Sequence, residues 1–184
     1  PDLTPNVGLW WYFFTEMFDH FRPFFLMVFN VHLLIYVFPL CIKFQHDTLY
    51  ALFILLGVLG TFKAYPTLSD PGLFLSMTAI FPEIYHVRAF LSLSICSPSL
   101  NTLQIVPDLR HPIVTAFLHI HSALLLPLFH HLWLTQGTGN ANFFYASTLV
   151  FACANGSAIL DCLWAGMRIA IGKPEIGDWV VDQE

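Results

Sequence analysis

Glu16, Asp19 and His20 are the most chemically suggestive side chains near the start of the sequence, within the aromatic stretch FFTEMFDHF. Spacings of three and four residues place them on one face of a helix, with Tyr12 one turn earlier. Carboxylates beside an imidazole near a membrane can take shifted pKa values and transfer protons. The same polar stripe is typical of an interfacial helix that contacts headgroups or water. A binding role is compatible with both interpretations.

Two amides, Asn140 and Asn142, flank Ala141 just before the apolar run FFYASTLVF. Asn142 is a good N-cap for the helix predicted to follow. Amides in an uncharged loop can also form hydrogen bonds with a sugar or a phosphate headgroup. Asn6, in LTPNVG, is expected to join them across a helix bundle.

Asp161 lies deep in the last apolar run of the sequence. An acid at such a depth is costly, and it normally faces the interior of a bundle with a partner. Asp161 therefore indicates either a functional site or an interhelical hydrogen bond. Pairing with an intramembrane cation would favour a transporter, but the apolar runs carry no Lys or Arg at their centres.

Histidines and cysteines give weaker signals. His119, His121, His130 and His131 share one apolar run, but adjacent His and His-x-His spacings do not converge on one ion, and the i, i+4 spacing of zinc helices is absent. The four cysteines are scattered through apolar runs, where Cys usually behaves as a small hydrophobe. We expect no metal, no other cofactor and no cysteine chemistry.

The composition indicates a membrane protein. The chain is 57% hydrophobic and 10% charged, with a mean hydropathy of +0.67, whereas soluble domains carry about 25% charged residues. A net charge of −5 with only seven Lys and Arg argues against a nucleic-acid partner. The sequence begins at Pro1 without a start or a signal peptide, so we expect a piece of a longer polypeptide.

The predicted fold is all-α: a polytopic bundle of transmembrane helices over residues 23–171. A span needs about 20 apolar residues, and fewer where helices are broken or packed inside a bundle. About five spans are predicted, at residues 23–42, 48–62, 68–81, 112–134 and 143–171. An interfacial aromatic helix over residues 1–22 precedes them, and an acidic tail over residues 172–184 follows.

The positive residues predict which end of the bundle is cytosolic. With these five spans, one side of the membrane carries Lys43, Arg88, Arg110, Arg168 and Lys173, and the other side carries only Arg22 and Lys63. Cytosolic loops are enriched in Lys and Arg. A loop near residues 92–111 and the tail 172–184 are therefore predicted to be cytosolic. The helix 1–22, the KAYPTLSD turn and the TQGTGNAN loop then share the opposite side, where a site is expected.

Four ordered segments carry a family resemblance: LTPNVGLWWYFFTEMFDHFR, FKAYPTLSD, HHLWLTQGTGNANFFYASTL, and Asp161 at a fixed distance after Asn142. They resemble the C-terminal half of the PIG-U family, the polytopic subunit of the glycosylphosphatidylinositol (GPI) transamidase. The resemblance covers almost the whole chain. It leaves the segment 92–109 without a counterpart, and the tail has fewer basic residues than the family has there.

The resemblance implies a multi-pass protein of the endoplasmic reticulum membrane, built like the membrane part of GPI mannosyltransferases. The family's protein is a noncatalytic subunit that binds and presents the GPI lipid, while the cysteine-protease-like PIG-K attaches protein C-termini to it. PIG-T and PIG-S, together with membrane lipids, are further implied partners, and the end bearing residues 1–22 is then luminal. On this interpretation the lipid-binding residues are Asn6, Glu16, Asp19, His20, Asn140, Asn142 and Asp161.

One alternative function is a membrane glycosyltransferase of GPI biosynthesis that uses a lipid-phosphate sugar donor. Such enzymes place their catalytic acids in an early luminal loop. This sequence has no such loop, and its candidate acids are few and predicted on one helix. An acidic loop in a preceding part of the full-length protein would favour this alternative.

Overall fold

A computed structural model of the chain describes residues 4–84, 109 and 111–171. Within these residues the regular elements are all helical, which confirms the predicted all-α membrane bundle. The helices are α1 (Trp11–Glu16), α2 (Arg22–His32), α3 (Leu34–Lys43), α4 (Thr48–Phe62), α5 (Ser69–Met77), α6 (Pro112–Leu134) and α7 (Ala141–Ile171). Two short 3-10 turns, Thr78–Ile80 and Pro82–Ile84, follow α5.

Three stretches of helix are long and apolar enough to cross a bilayer: α2 together with α3, α6, and α7. They correspond to the predicted spans 23–42, 112–134 and 143–171. By contrast, α4 has 15 residues and α5 has 9, or about 22 Å and 13 Å at 1.5 Å per residue. Helix length therefore supports three of the five predicted crossings.

α6 and α7 pack antiparallel along most of their length. Near the start of α6, Thr115 donates a hydrogen bond to Asp161, which lies late in α7. Near the end of α6, the ring of Phe129 stacks on Phe143 in the first turn of α7. The antiparallel packing of α6 and α7 therefore places the turn between them at one end of the bundle and the N-terminus of α6 at the other.

α4 lies at the centre of the bundle, between α3, α5 and α7. Phe53 and Ile54 are fully buried, and Phe53 stacks on Phe74 of α5 with 4.9 Å between ring centroids. At its start, Tyr50 donates its hydroxyl hydrogen to the carbonyl of Cys162 in α7. The apolar sequence of α4 suits this position, since it has no polar face to turn outward.

The packing defines two ends. We call residues 4–21 and the 135–140 turn the aromatic end, and residues 43–47 with His111 and the last turn of α7 the basic end. Trp11 packs against Trp133, and Trp10 donates its indole N–H to the carbonyl of Phe62, beside the 63–70 turn. The N-terminal segment therefore contacts both the turn at residues 63–70 and the end of α6. That they face the lumen stays a prediction.

Two predicted segments differ from the structure or fall outside it. The helix predicted over residues 1–22 is interrupted: α1 ends at Glu16, because Met17 is extended (φ −80°, ψ 142°) and the chain turns before α2 begins. The predicted cytosolic loop near 92–111, apart from Leu109 and His111, and the predicted acidic tail 172–184 lie outside the described residues.

Candidate functional site

The aromatic end is held together by rings packed around Trp11. Trp11 is 4% exposed, and its ring centroid lies 6.2 Å from Trp133 and 5.7 Å from Phe144. Beside it, Tyr12 stacks on Tyr145 with 4.7 Å between centroids. Such pairs contribute about 0.5–1.5 kcal/mol each beyond the area they bury. They fix α1 against the end of α6 and the start of α7.

Arg22 holds the C-terminal end of α1. The side chain is buried, and it donates from Nε to the carbonyl of Phe14 at 3.0 Å and from Nη2 to that of Met17 at 3.1 Å. A cation is favoured there because the helix dipole is negative at its C-terminus. The sequence pattern did not predict this role, and Arg22 entered only the prediction of sidedness. A cation a few residues beyond the end of an apolar helix is the signal that could have found it.

The predicted polar face of Glu16, Asp19 and His20 is wrong as a helical face, because α1 ends at Glu16. Asp19 is exposed and forms an ion pair with Nη1 of Arg22 at 2.6 Å. His20 is also exposed and packs against Phe21, with 4.1 Å between ring centroids. The three side chains are therefore neighbours in sequence, in separate environments, and do not form one acid–base cluster.

Glu16 instead pairs with Tyr12. Loss of solvent around the phenol and the negative charge of the nearby Glu16 raise the pKa of Tyr12. The phenol therefore keeps its proton at neutral pH and remains a hydrogen-bond donor beside the carboxylate. Because Tyr12 also stacks on Tyr145, this pair connects Glu16 to the first two turns of α7.

The turn between α6 and α7 satisfies the carbonyls at the end of α6. The backbone N–H groups of Thr138 and Gly139 both donate to the carbonyl of Leu132. Gly137 adopts a φ of +64°, a left-handed conformation that glycine takes without steric cost. The turn is therefore built by local sequence, and it sets the position at which α7 begins.

Asn140 is the N-cap of α7. Its Oδ1 accepts a hydrogen bond from the backbone N–H of Phe143 at 3.2 Å, and α7 begins at Ala141, earlier than predicted. The prediction that Asn142 caps this helix is therefore wrong. Asn142 lies in the first turn and is exposed, and its side chain forms no hydrogen bond with another described residue. Its amide is available to a ligand.

Asn6 lies on the other side of the aromatic end. Its Oδ1 accepts a hydrogen bond from the backbone N–H of Gly8 at 2.8 Å, and it is half-buried. Gly8 in turn lies against Pro66, so close that an added Cβ would come within 2.6 Å of the proline ring. The oxygen of Asn6 is thus used within the chain, while its NH₂ group keeps its donor capacity.

Asp161 is separated from the other predicted site residues. It is buried, and it accepts hydrogen bonds from the backbone N–H of His111 at 3.2 Å and from Oγ1 of Thr115 at 3.1 Å. Both donors belong to the N-terminus of α6, near the basic end, where a helix dipole favours an anion. The interhelical hydrogen bond considered from the sequence is therefore present.

The histidines of α6 lie in different surroundings. His119 faces α7 and hydrogen-bonds Asn155 at 3.0 Å, whereas His121 is exposed on the outer face. His130 packs beside Phe144, and His131 bonds Gln136. Among residues 4–84, 109 and 111–171, no three His, Cys, Asp or Glu side chains lie close enough to hold a metal ion.

Comparison with known proteins assigns the chain to a family. Residues 1–151 match the family described as "PIG-U: GPI transamidase subunit PIG-U". The chain belongs to the PIG-U family. Both segments of the aromatic end fall inside the matched residues, whereas Asp161 lies beyond them.

Individual PIG-U family relatives are similar over most of the chain. The chain is 39% identical over 165 residues to "GPI transamidase component GAB1" of Saccharomyces cerevisiae, covering 90% of this chain and 36% of that protein. It is 39% identical over 168 residues to "GPI-anchor transamidase component PIGU" of Homo sapiens, covering 91% and 34%. The chain therefore spans about a third of the length of these relatives.

Proposed function

We propose that this chain is part of a noncatalytic subunit of GPI transamidase and that its aromatic end binds the GPI lipid and presents it for attachment to protein C-termini. Membership of the PIG-U family and the names of its relatives support the assignment to this complex. The observation that supports the lipid-binding role is the exposed Asn142 amide, which lies in the first turn of α7, three residues before the Tyr145 that stacks on Tyr12.

The chemistry of the aromatic end suits a glycolipid. Asn142 offers both a donor and an acceptor, as sugar hydroxyls and phosphate oxygens require. Tyr and Trp rings are enriched where membrane and water meet, because one part of each is apolar and another polar. Asn6 adds a further donor from the N-terminal segment, and Glu16 adds an acceptor. The apolar helices below provide a surface for lipid chains.

A noncatalytic role is proposed because the acids at this end are engaged by partners. Asp19 is paired with Arg22 at 2.6 Å, and Glu16 with Tyr12. The bond-forming step then belongs to a separate subunit, for which the cysteine-protease-like PIG-K is the proposed partner, with PIG-T and PIG-S in the same complex. The endoplasmic reticulum membrane is the proposed location.

The test is GPI retention by the full-length protein in its complex. Asn142→Ala should reduce the GPI that co-purifies with the complex by about tenfold, as expected for the loss of one to two hydrogen bonds. Gln136→Ala is the matched control, since Gln136 is an exposed amide in the adjacent turn that bonds His131. Wild-type retention in Asn142→Ala at equal complex yield would contradict the proposed site. Sugar transfer from a lipid-phosphate donor by the purified subunit would contradict the noncatalytic role.

A further inference from the structure

We infer that α4 and α5 form a re-entrant hairpin, which enters the bundle from the basic end and turns back at mid-depth, and that Lys63 at its tip binds an anionic oxygen of a lipid headgroup. The ligand rests on the lipid-binding function proposed above, whereas the topology does not. The hairpin consists of α4, the turn at residues 63–68, α5 and the 3-10 turn Thr78–Ile80.

Contacts with the α2–α3 span give the depth of the hairpin tip. Phe62, the last residue of α4, stacks its ring on Tyr36 with 5.9 Å between centroids and 7° between planes. It also packs edge-on against His32 at 5.9 Å. His32 and Tyr36 lie near the middle of the 22-residue stretch Arg22–Lys43. The tip of the hairpin therefore lies near the middle of the span, where residues of the N-terminal segment reach it.

α7 gives an independent measure of depth. A Cβ on Gly57 would lie 2.9 Å from Cγ1 of Ile159, so these two positions are level. α4 continues for five residues beyond Gly57, or about 7 Å, whereas α7 continues from Ile159 to Ala141, or about 27 Å. α4 thus ends about 20 Å short of the start of α7, measured along the helix axis.

α5 returns to the end at which α4 began. Gly60 faces the backbone of Asp70, with a Cβ-to-carbonyl-carbon distance of 3.1 Å. Further along, Phe81, which follows the 3-10 turn, packs against Tyr50 at the start of α4 with 4.9 Å between centroids. The hairpin therefore opens and closes at the basic end. Since it adds no net crossing, the sidedness predicted from the positive residues is unchanged.

A non-helical turn at this depth needs protein or water around it. Irregular backbone within a membrane is tolerated only where protein buries it or where it lines a water-filled cavity. Here Trp10 covers one side, donating its indole N–H to the carbonyl of Phe62 at 3.1 Å, and Gly8 packs against Pro66. Thr67 remains exposed. The turn is therefore partly covered by the N-terminal segment and partly open.

The charges at the tip favour a ligand that accepts hydrogen bonds. Nζ of Lys63 lies 3.2 Å from both carboxylate oxygens of Asp70. Oδ2 of Asp70 also accepts from the backbone N–H of Thr67 at 2.7 Å and from its hydroxyl at 3.1 Å. The carboxylate is nearly saturated, whereas the Lys63 side chain is 39% exposed and keeps a donor. An ammonium with a spare donor at mid-depth suits a phosphate oxygen.

The topology is tested by spin-label distances in the full-length protein, reconstituted in its complex. Labels at Thr67→Cys and Gln45→Cys should lie about 15 Å closer together than labels at Thr138→Cys and Gln45→Cys, because the tip stops near mid-depth. Equal distances for the two pairs would show that the hairpin crosses the membrane and would overturn the inference.

The ligand is tested with dioctanoyl phosphatidylinositol as the probe and dioctanoylglycerol as its phosphate-free control. The double variant Lys63→Gln/Asp70→Asn keeps the tip neutral and hydrogen-bonded, and it should bind the phospholipid about tenfold more weakly than wild type. Lys63→Arg should retain binding, and Lys43→Gln at the basic end serves as the matched control. Unchanged phospholipid binding in the double variant, with an unchanged hairpin distance, would overturn the ligand assignment. GPI retention in Asn142→Ala would still report on the proposed function separately.

Discussion

Asn140 and Asn142 are two positions apart at the start of α7, yet their surroundings differ. Asn140 caps the helix, so Asn140→Ala should lower the free energy of unfolding by about 1 kcal/mol, while Asn140→Asp and Asn140→Ser should cost much less. Asn142→Ala should leave thermal unfolding of the purified complex unchanged. A destabilisation by Asn142→Ala equal to that by Asn140→Ala would contradict this division.

Asp161 is predicted to act through α6. Asp161→Ala leaves the backbone N–H of His111 and the hydroxyl of Thr115 without an acceptor, which should cost about 1–3 kcal/mol. Asp161→Asn keeps one acceptor oxygen and should cost less. Thr115→Val tests one of the two bonds separately. The measurement is the melting temperature of the complex, and a greater loss of GPI retention than of stability in Asp161→Asn would instead indicate a direct ligand contact.

Sequence patterns predicted the surroundings of Asp161 correctly, but not those of Glu16, Asp19 and His20. Because burying an acid in a membrane is energetically unfavourable, a partner was predicted for Asp161, and Thr115 is such a partner. The face of Glu16, Asp19 and His20 failed, because the end of α1 depends on Arg22, which folds back onto two carbonyls. A tertiary contact of that kind leaves no periodic signal. The N-cap was misplaced by two residues, since either asparagine is a good cap by type alone.

At the scale of elements, α4 and α7 approach closely at Gly166. A Cβ there would lie 2.3 Å from the ring of Tyr50, which is buried and held by its bond to Cys162. Gly166→Ala should therefore destabilise the protein by about 1–3 kcal/mol through overpacking. Gly156→Ala, on the same helix with nothing within 4 Å of the added Cβ, is the control and should be neutral or slightly stabilising. Equal melting temperatures for the two variants would contradict this packing.

The bounds of the long helices were largely predictable. The predicted spans 48–62 and 112–134 coincide with α4 and α6, because uninterrupted apolar runs end at polar or helix-breaking residues such as Asp47, Lys63 and Pro112. The role of α4 was not predictable, since hydrophobicity does not distinguish a short span from a helix buried in a bundle. That distinction depends on the neighbours of Phe62, which are distant in sequence.

For the whole molecule, sidedness is the main open prediction. The aromatic end should be luminal and the basic end cytosolic, because Lys43 and Arg168 lie at the latter. In sealed microsomes, an impermeant maleimide should label Gln45→Cys at once and Thr138→Cys only after permeabilisation. The reverse pattern would show that the protein has the opposite orientation. The proposed site would then lie on the cytosolic side of the membrane, away from a luminal substrate.

The continuity of α7 has a mechanical consequence. α7 has 31 residues and α6 has 23, about 46 Å against 34 Å. The two helices are joined at the aromatic end, and Asp161 bonds the first turn of α6, so the surplus of α7 projects beyond α6 at the basic end. No proline interrupts the helix from Ala141 to Ile171. A displacement or a rotation of the projecting turns at the basic end would therefore be carried along the continuous helix to Asn142 at the aromatic end.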